Sequence, residues 1–113
     1  MKLAEAPVLD TNVLIDLIGD DQQEIVNFQR QFMQQAQQSL KKLATSFNQS
    51  DFTEVKQEAH FLKTSARAIG ALQVGEVLQM IENASLQEDK ALTKELILSL
   101  KQALQSLIRA IQQ

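Results

Sequence analysis

At 113 residues with a formal net charge of -3, the chain has room for one domain with a real core and lacks a nucleic-acid binder's basic surplus. Three Gly, one Pro and no Cys leave little material for tight turns and none for disulfides, thiolate metal sites or a cysteine nucleophile. No apolar stretch approaches the ~18 residues of a membrane span, and Glu5, Pro7 and Asp10 interrupt any leader-like run, so a cytoplasmic protein is expected.

Hydrophobic residues make up 44% of the chain, and Ala, Leu, Gln, Glu and Lys are abundant, which favours helix throughout. Asp10 suits the N-cap of a short first helix with Val13, Leu14, Leu17 and Ile18 on its apolar side. Gly19 stops it. Asp21 followed by Glu24 is a capping-box-like start for a long second helix. Its inward stripe is Ile25, Phe28, Phe32, Ala36, Leu40, Leu43 and Phe47, and the Gln-rich stretch from Gln29 to Gln38 reads as its solvated side. Asn48 to Ser50 forms a turn, and Asp51 with Glu54 repeats the capping pattern. The third helix then carries Phe52, Val55, Ala59, Leu62, Ala66 and Ile69 in steps of three and four, and Gly70 ends it.

A fourth helix follows with Leu72, Val74, Leu78 and Ile81 inward. Gly75 inside it costs ~1 kcal/mol relative to Ala, which points to a close helix–helix approach. After a polar turn from Gln87 to Lys90, the last helix places Leu92, Leu96, Ile97, Leu100, Leu104, Leu107, Ile108 and Ile111 inward. Met33 and Met80 are expected in the core or at its edge. The predicted architecture is all-α: an antiparallel up-down-up-down four-helix bundle with a short additional N-terminal helix, residues 1–113 forming a single domain.

His60 is the one histidine. It lies just off the stripe of Ala59, Leu62 and Ala66, on the wet side of the third helix. Lys56, Lys63 and Thr64 are three or four residues away and Arg67 seven, all on one side, with about 5–6 Å between Cβ atoms one turn apart. The imidazole is thus expected within a cationic strip that favours its neutral, nucleophilic form and screens a dianion placed on it. A histidine among cations is ordinarily only a solvated helix face. A metal site lacks clustered ligands, and no nucleophile elbow supports a catalytic triad.

The run Ala59-His60-Phe61-Leu62-Lys63-Thr64-Ser65-Ala66-Arg67-Ala68-Ile69-Gly70-Ala71 resembles the signature of histidine-containing phosphotransfer (HPt) domains. Ile81-Glu82, Val8-Leu9-Asp10 and Gly19-Asp20-Asp21 also look like the family's pattern, and the resemblance spans essentially the whole chain. It implies that His60 is phosphorylated through Nε2, that Lys63 contacts the phosphoryl group and the partner, and that Glu82 orients the imidazole by hydrogen bonding. Gly70 is implied to serve close packing and the turn out of the third helix. Arg67 and Lys56 follow from helical geometry and not from the motif. Thr64 departs from the family, which usually has Gly there, and its β-branched side chain is expected to crowd an incoming partner mildly. Phe61 suits an apolar docking patch or packing against a neighbouring helix in equal measure.

The resemblance implies a phosphorelay intermediate that takes a phosphoryl group from one receiver-domain aspartyl phosphate and passes it to another. Its partners would be response-regulator receivers and the receiver of a hybrid sensor kinase, with no nucleic acid and no membrane. No cofactor of its own is expected, because the receiver would supply Mg²⁺, and no Gly-rich nucleotide loop marks a kinase. A free-standing monomer is expected. The competing readings are a helical adapter that docks partners without transfer, and a dimerisation bundle, which would need an apolar face left over beyond the core.

Overall fold

The computed structural model describes residues 6–112. Five helices run α1 (Thr11–Ile18), α2 (Gln22–Asn48), α3 (Phe52–Ala68), α4 (Leu72–Leu86) and α5 (Lys90–Gln112), with no strand among the described residues. Helices α2 to α5 close into a ring in which α3 packs most extensively on α4, and α1 lies against α2 and α3. The result is the four-helix bundle with a short extra helix that the periodicity predicts.

The helix starts follow from side-chain capping. Asp10 Oδ1 accepts from the Asn12 N–H, Asp21 Oδ1 from Gln23 and Glu24, Asp51 Oδ1 from Glu54, and Asp89 Oδ1 from Leu92. Asp89 is a cap that the sequence reading placed only in a polar turn. The three turns between the long helices share one geometry. In each, a residue just past the helix end is followed by one whose N–H reaches back five positions, as Asp51 to Ser46, Ala71 to Ala66 and Asp89 to Ala84. Ser50 (φ 57°), Gly70 (φ 82°) and Glu88 (φ 52°) hold the left-handed position in these turns.

Only the α3–α4 turn demands glycine for a second reason. A Cβ on Gly70 would lie 2.0 Å from the Asp10 carbonyl oxygen, because the segment before α1 is pressed onto this turn. Two backbone bonds fasten it there: Asp10 N–H to the Gly70 carbonyl (2.8 Å), and Gln73 N–H to the Pro7 carbonyl (3.0 Å). Ala71 offers no side-chain cap to α4, so the Pro7 carbonyl takes over that task.

The buried stripe of α3 is as expected, with Val55, Ala59, Leu62, Ala66 and Ile69 inside and Phe52 partly buried. That of α2 differs. It runs Ile25, Gln29, Phe32, Ala36, Ser39, Leu43 and Ser46, in alternating steps of four and three. Phe28 is 43% exposed and Leu40 and Phe47 are only partly buried, because they flank this seam while small or polar residues occupy its centre. Ser39 is satisfied there by donating to Glu58 Oε2 of α3 at 2.8 Å. Leu17 also faces solvent, and Leu14 is the buried residue of α1. In α5 the inward position belongs to Thr93 and not to Leu92, which is exposed; the Thr93 hydroxyl donates to the Asp89 carbonyl. Met33 is partly buried and Met80 exposed, which places both at the core's edge or beyond.

Candidate functional site

Helices α3 and α4 run antiparallel in a register that sets His60 opposite Glu82, Lys63 opposite Gln79 and Arg67 opposite Gly75. The His60 side chain is 66% exposed, so its ring is open to a visiting molecule. Glu82 is buried, and its Oε1 lies 2.9 Å from His60 Nδ1. An ionised carboxylate can only accept, so Nδ1 carries the proton and donates, and in the neutral ring the Nε2 lone pair stays free.

Behind the carboxylate stands Lys63. Its Nζ is 2.5 Å from Glu82 Oε2 and donates to Gln79 Oε1 at 2.9 Å. Gln79 Nε2 in turn donates to Asn83 Oδ1 at 3.1 Å. A lysine has no acceptor, so the Gln79 carbonyl must face it and the amide nitrogen must face Asn83. Residues 79, 82 and 83 share one face of α4, being three and four apart. The chain from Asn83 to His60 therefore runs through three hydrogen bonds of definite direction and one ion pair, between Lys63 and Glu82.

Lys56, one turn before His60, is exposed and joins Gln57, His60 and Glu82 around an open hollow of about 530 Å³. Thr64, one turn after, is exposed and donates its hydroxyl to the His60 carbonyl at 3.3 Å. Phe61, next to His60 in the sequence, is 57% exposed. Arg67 does not line the hollow. It sits about 10 Å further along the helix axis, and its aliphatic stem would lie 3.2 Å from a Cβ at Gly75. Gly75 thus makes room for this side chain and not for a neighbouring helix backbone.

One expectation about the cationic strip is corrected. Lys63 is 9% exposed and paired with Glu82, so its charge is already compensated and it is not a free surface cation. The position has a geometric cause. Residue 63 is four after Ala59 and three before Ala66, on the buried stripe itself, where a lysine is tolerated only with partners. Among the described residues, no group of three or more His, Cys, Asp or Glu is placed to hold a metal ion.

The sequence model of the Hpt domain matches residues 27–112, which is most of the chain. The chain belongs to the Hpt domain family. Among solved structures, the fold is similar to that of histidine-containing phosphotransfer protein B (HptB) from Pseudomonas aeruginosa PAO1. The TM-score is 0.86 at 18% identity, over 96% of this chain and 94% of that one, a likeness that speaks for the fold alone. A comparison with curated protein sequences found no match.

In this Hpt domain, sequence reasoning pointed to His60, Glu82 and Lys56 at the site but passed over Gln57, Gln79 and Asn83. Gln79 was detectable in principle. It lies three residues before Glu82 and so must share its face of α4. Its amide carries no charge and no apolar signal, and only the register of α4 on α3 reveals what it touches. No helix among the described residues is long and apolar enough to cross a membrane.

Proposed function

We propose that this Hpt domain is a phosphorelay carrier that accepts a phosphoryl group on Nε2 of His60 from a receiver-domain aspartyl phosphate. It then passes the group to the aspartate of another receiver. The observation that carries this reading is the exposed ring whose Nδ1 is engaged by a buried carboxylate, leaving Nε2 as an outward nucleophile.

As the Nε2–P bond forms, the acyl-phosphate P–O bond breaks and the receiver's carboxylate leaves with that electron pair. The ring gains positive charge, which the Glu82 carboxylate at Nδ1 stabilises without having to reorganise. Lys56 is an exposed cation lining the hollow at the ring, and a unit charge pair at 4 Å in water is worth roughly 1 kcal/mol. For Lys63 to touch the phosphoryl group, its Nζ would have to leave Gln79 and Glu82. Thr64 and Phe61 border the ring where a receiver must approach, with Arg67 further out on the same helix.

The receiver contributes Mg²⁺ in this scheme, and this chain needs no cofactor or ATP of its own. Its partners are response-regulator receivers and the receiver of a hybrid sensor kinase, which it meets as a monomer in the cytoplasm. The test is incubation with a receiver phosphorylated on its aspartate, followed by detection of acid-labile label. Wild type should acquire label and His60→Gln none. Label retained by His60→Gln refutes the site, and no label on wild type with any receiver favours an adapter without transfer.

A further inference from the structure

We propose that Gln79 is a positioning residue for His60: by holding Lys63 on Glu82, it keeps the carboxylate aimed at Nδ1 and so fixes the nucleophilic tautomer. The inference rests on His60 being the acceptor and adds what sets its reactive form.

The reasoning starts from the short chain of contacts. Glu82 has two oxygens and two partners: His60 Nδ1 is hydrogen-bonded to one, and the Lys63 ammonium is ion-paired with the other. Its orientation is therefore decided by where Lys63 stands. Lys63 itself has a flexible four-carbon stem and three rotatable donors, so one ion pair does not fix its head. The second contact, to Gln79 Oε1 at 2.9 Å, supplies the missing constraint. Gln79 is held in turn by Asn83, which prevents the amide from turning its nitrogen toward the ammonium. Lys63 and Glu82 side chains are only 11% and 10% exposed, so water competes little for these bonds.

Remove the Gln79 acceptor and Lys63 can swing outward along its stem, drawing Glu82 Oε2 with it or leaving the carboxylate to rotate. Either movement weakens the Nδ1–H bond. The alternative tautomer then gains population, with the proton on Nε2, where it blocks attack on phosphorus.

The chain's one histidine makes the test clean, because its ring ¹⁵N signals need no assignment among others. The protein labelled with ¹⁵N in the imidazole is examined by NMR at alkaline pH. Phosphoryl acceptance from phosphoramidate is followed in parallel; attack by Nε2 releases ammonia, and no partner is involved. Wild type should show Nδ1 protonated and Nε2 bare. In Gln79→Leu the two nitrogen shifts should move toward each other as tautomers mix, and acceptance should fall about fivefold, the scale of one hydrogen bond. Gln79→Glu keeps an acceptor at the same reach and should restore the wild-type ring signature. Lys63→Met, which removes the intermediate, should mix the tautomers as Gln79→Leu does.

Wild-type ring shifts in Gln79→Leu would overturn the proposal. So would loss of the signature in Gln79→Leu and Gln79→Glu alike, since packing and not the acceptor would then be responsible. A wild-type ring protonated on Nε2 would overturn it too. The first two results leave the acceptor assignment untouched, whereas that assignment fails if His60→Gln still takes up label or if wild type takes up none.

Discussion

Replacing Gly70 by Ala separates two costs that one substitution usually confounds. The first is conformational: a Cβ at φ 82° costs roughly 1–2 kcal/mol, reduced by the lower chain entropy of unfolded Ala to about 0.5–1 kcal/mol net. The second is steric. The new atom would stand 2.0 Å from the Asp10 carbonyl oxygen, far inside contact distance, so the segment before α1 must lift from the turn. Lifting it breaks the Asp10–Gly70 and Gln73–Pro7 backbone bonds, worth about 1 kcal/mol each. The sum is about 2.5–3 kcal/mol, or roughly a 10 °C fall in Tm for a domain of this size.

Ser50 supplies the control, since it occupies the same position of the same kind of turn. Ser50→Gly should stabilise by about 0.5–1 kcal/mol, reading the conformational part alone with its sign reversed. Urea unfolding followed by circular dichroism measures both, with an unchanged m-value as the check that the denatured state is the same. If Gly70→Ala loses no more than Ser50→Gly gains, the packing of the N-terminal segment on this turn contributes nothing and the reasoning fails.

Three further outcomes follow from the same structure. Asp51→Ala removes the acceptor of the Glu54 N–H and should cost about 1 kcal/mol in urea unfolding; a loss under a few tenths would show that the cap is idle. Lys63→Met leaves Glu82 buried without its cation and should cost about 3 kcal/mol. Adding Glu82→Gln to it should recover part of that loss, and strictly additive losses would contradict the pairing. Thr64→Gly should destabilise α3 by only about 0.3 kcal/mol, Thr being itself a poor helix former, while raising transfer from receivers and leaving acceptance from phosphoramidate unchanged; equal rates from a receiver would show that the side chain does not crowd docking.

The bundle was legible because its helices obey strong local rules. Asp21 with Glu24 and Asp51 with Glu54 mark two starts, and α3 buries the apolar residues its period selects. Errors arose where apolarity and position disagree. Phe28 outweighed Gln29 in the reading of α2, yet the seam between neighbouring helices takes the residue at the right angle, whatever its polarity. Leu92 masked Thr93 for the same reason, the threonine being able to satisfy its hydroxyl on the preceding turn.

The site divides in the same way. His60 and Glu82 stood out through the resemblance, whereas the fate of Lys63 depended on a tertiary fact, the register of α4, that no single-helix projection contains. A lysine beside a histidine looks like surface charge until the facing helix supplies a carboxylate and an amide. The spacing puts Gln79 on the face of α4 that carries Glu82, but its contact with Lys63 follows only from that register.

Every member of the hydrogen-bond chain, from His60 to Asn83, belongs to one helical hairpin closed by a three-residue turn. Breathing of α2 or α5 therefore leaves the donor–acceptor geometry intact so long as that hairpin holds. Substitutions in those outer helices should lower the quantity of active protein while each surviving molecule works at full rate. Changes in α2 and α5 can thus accumulate without moving the carboxylate off the ring.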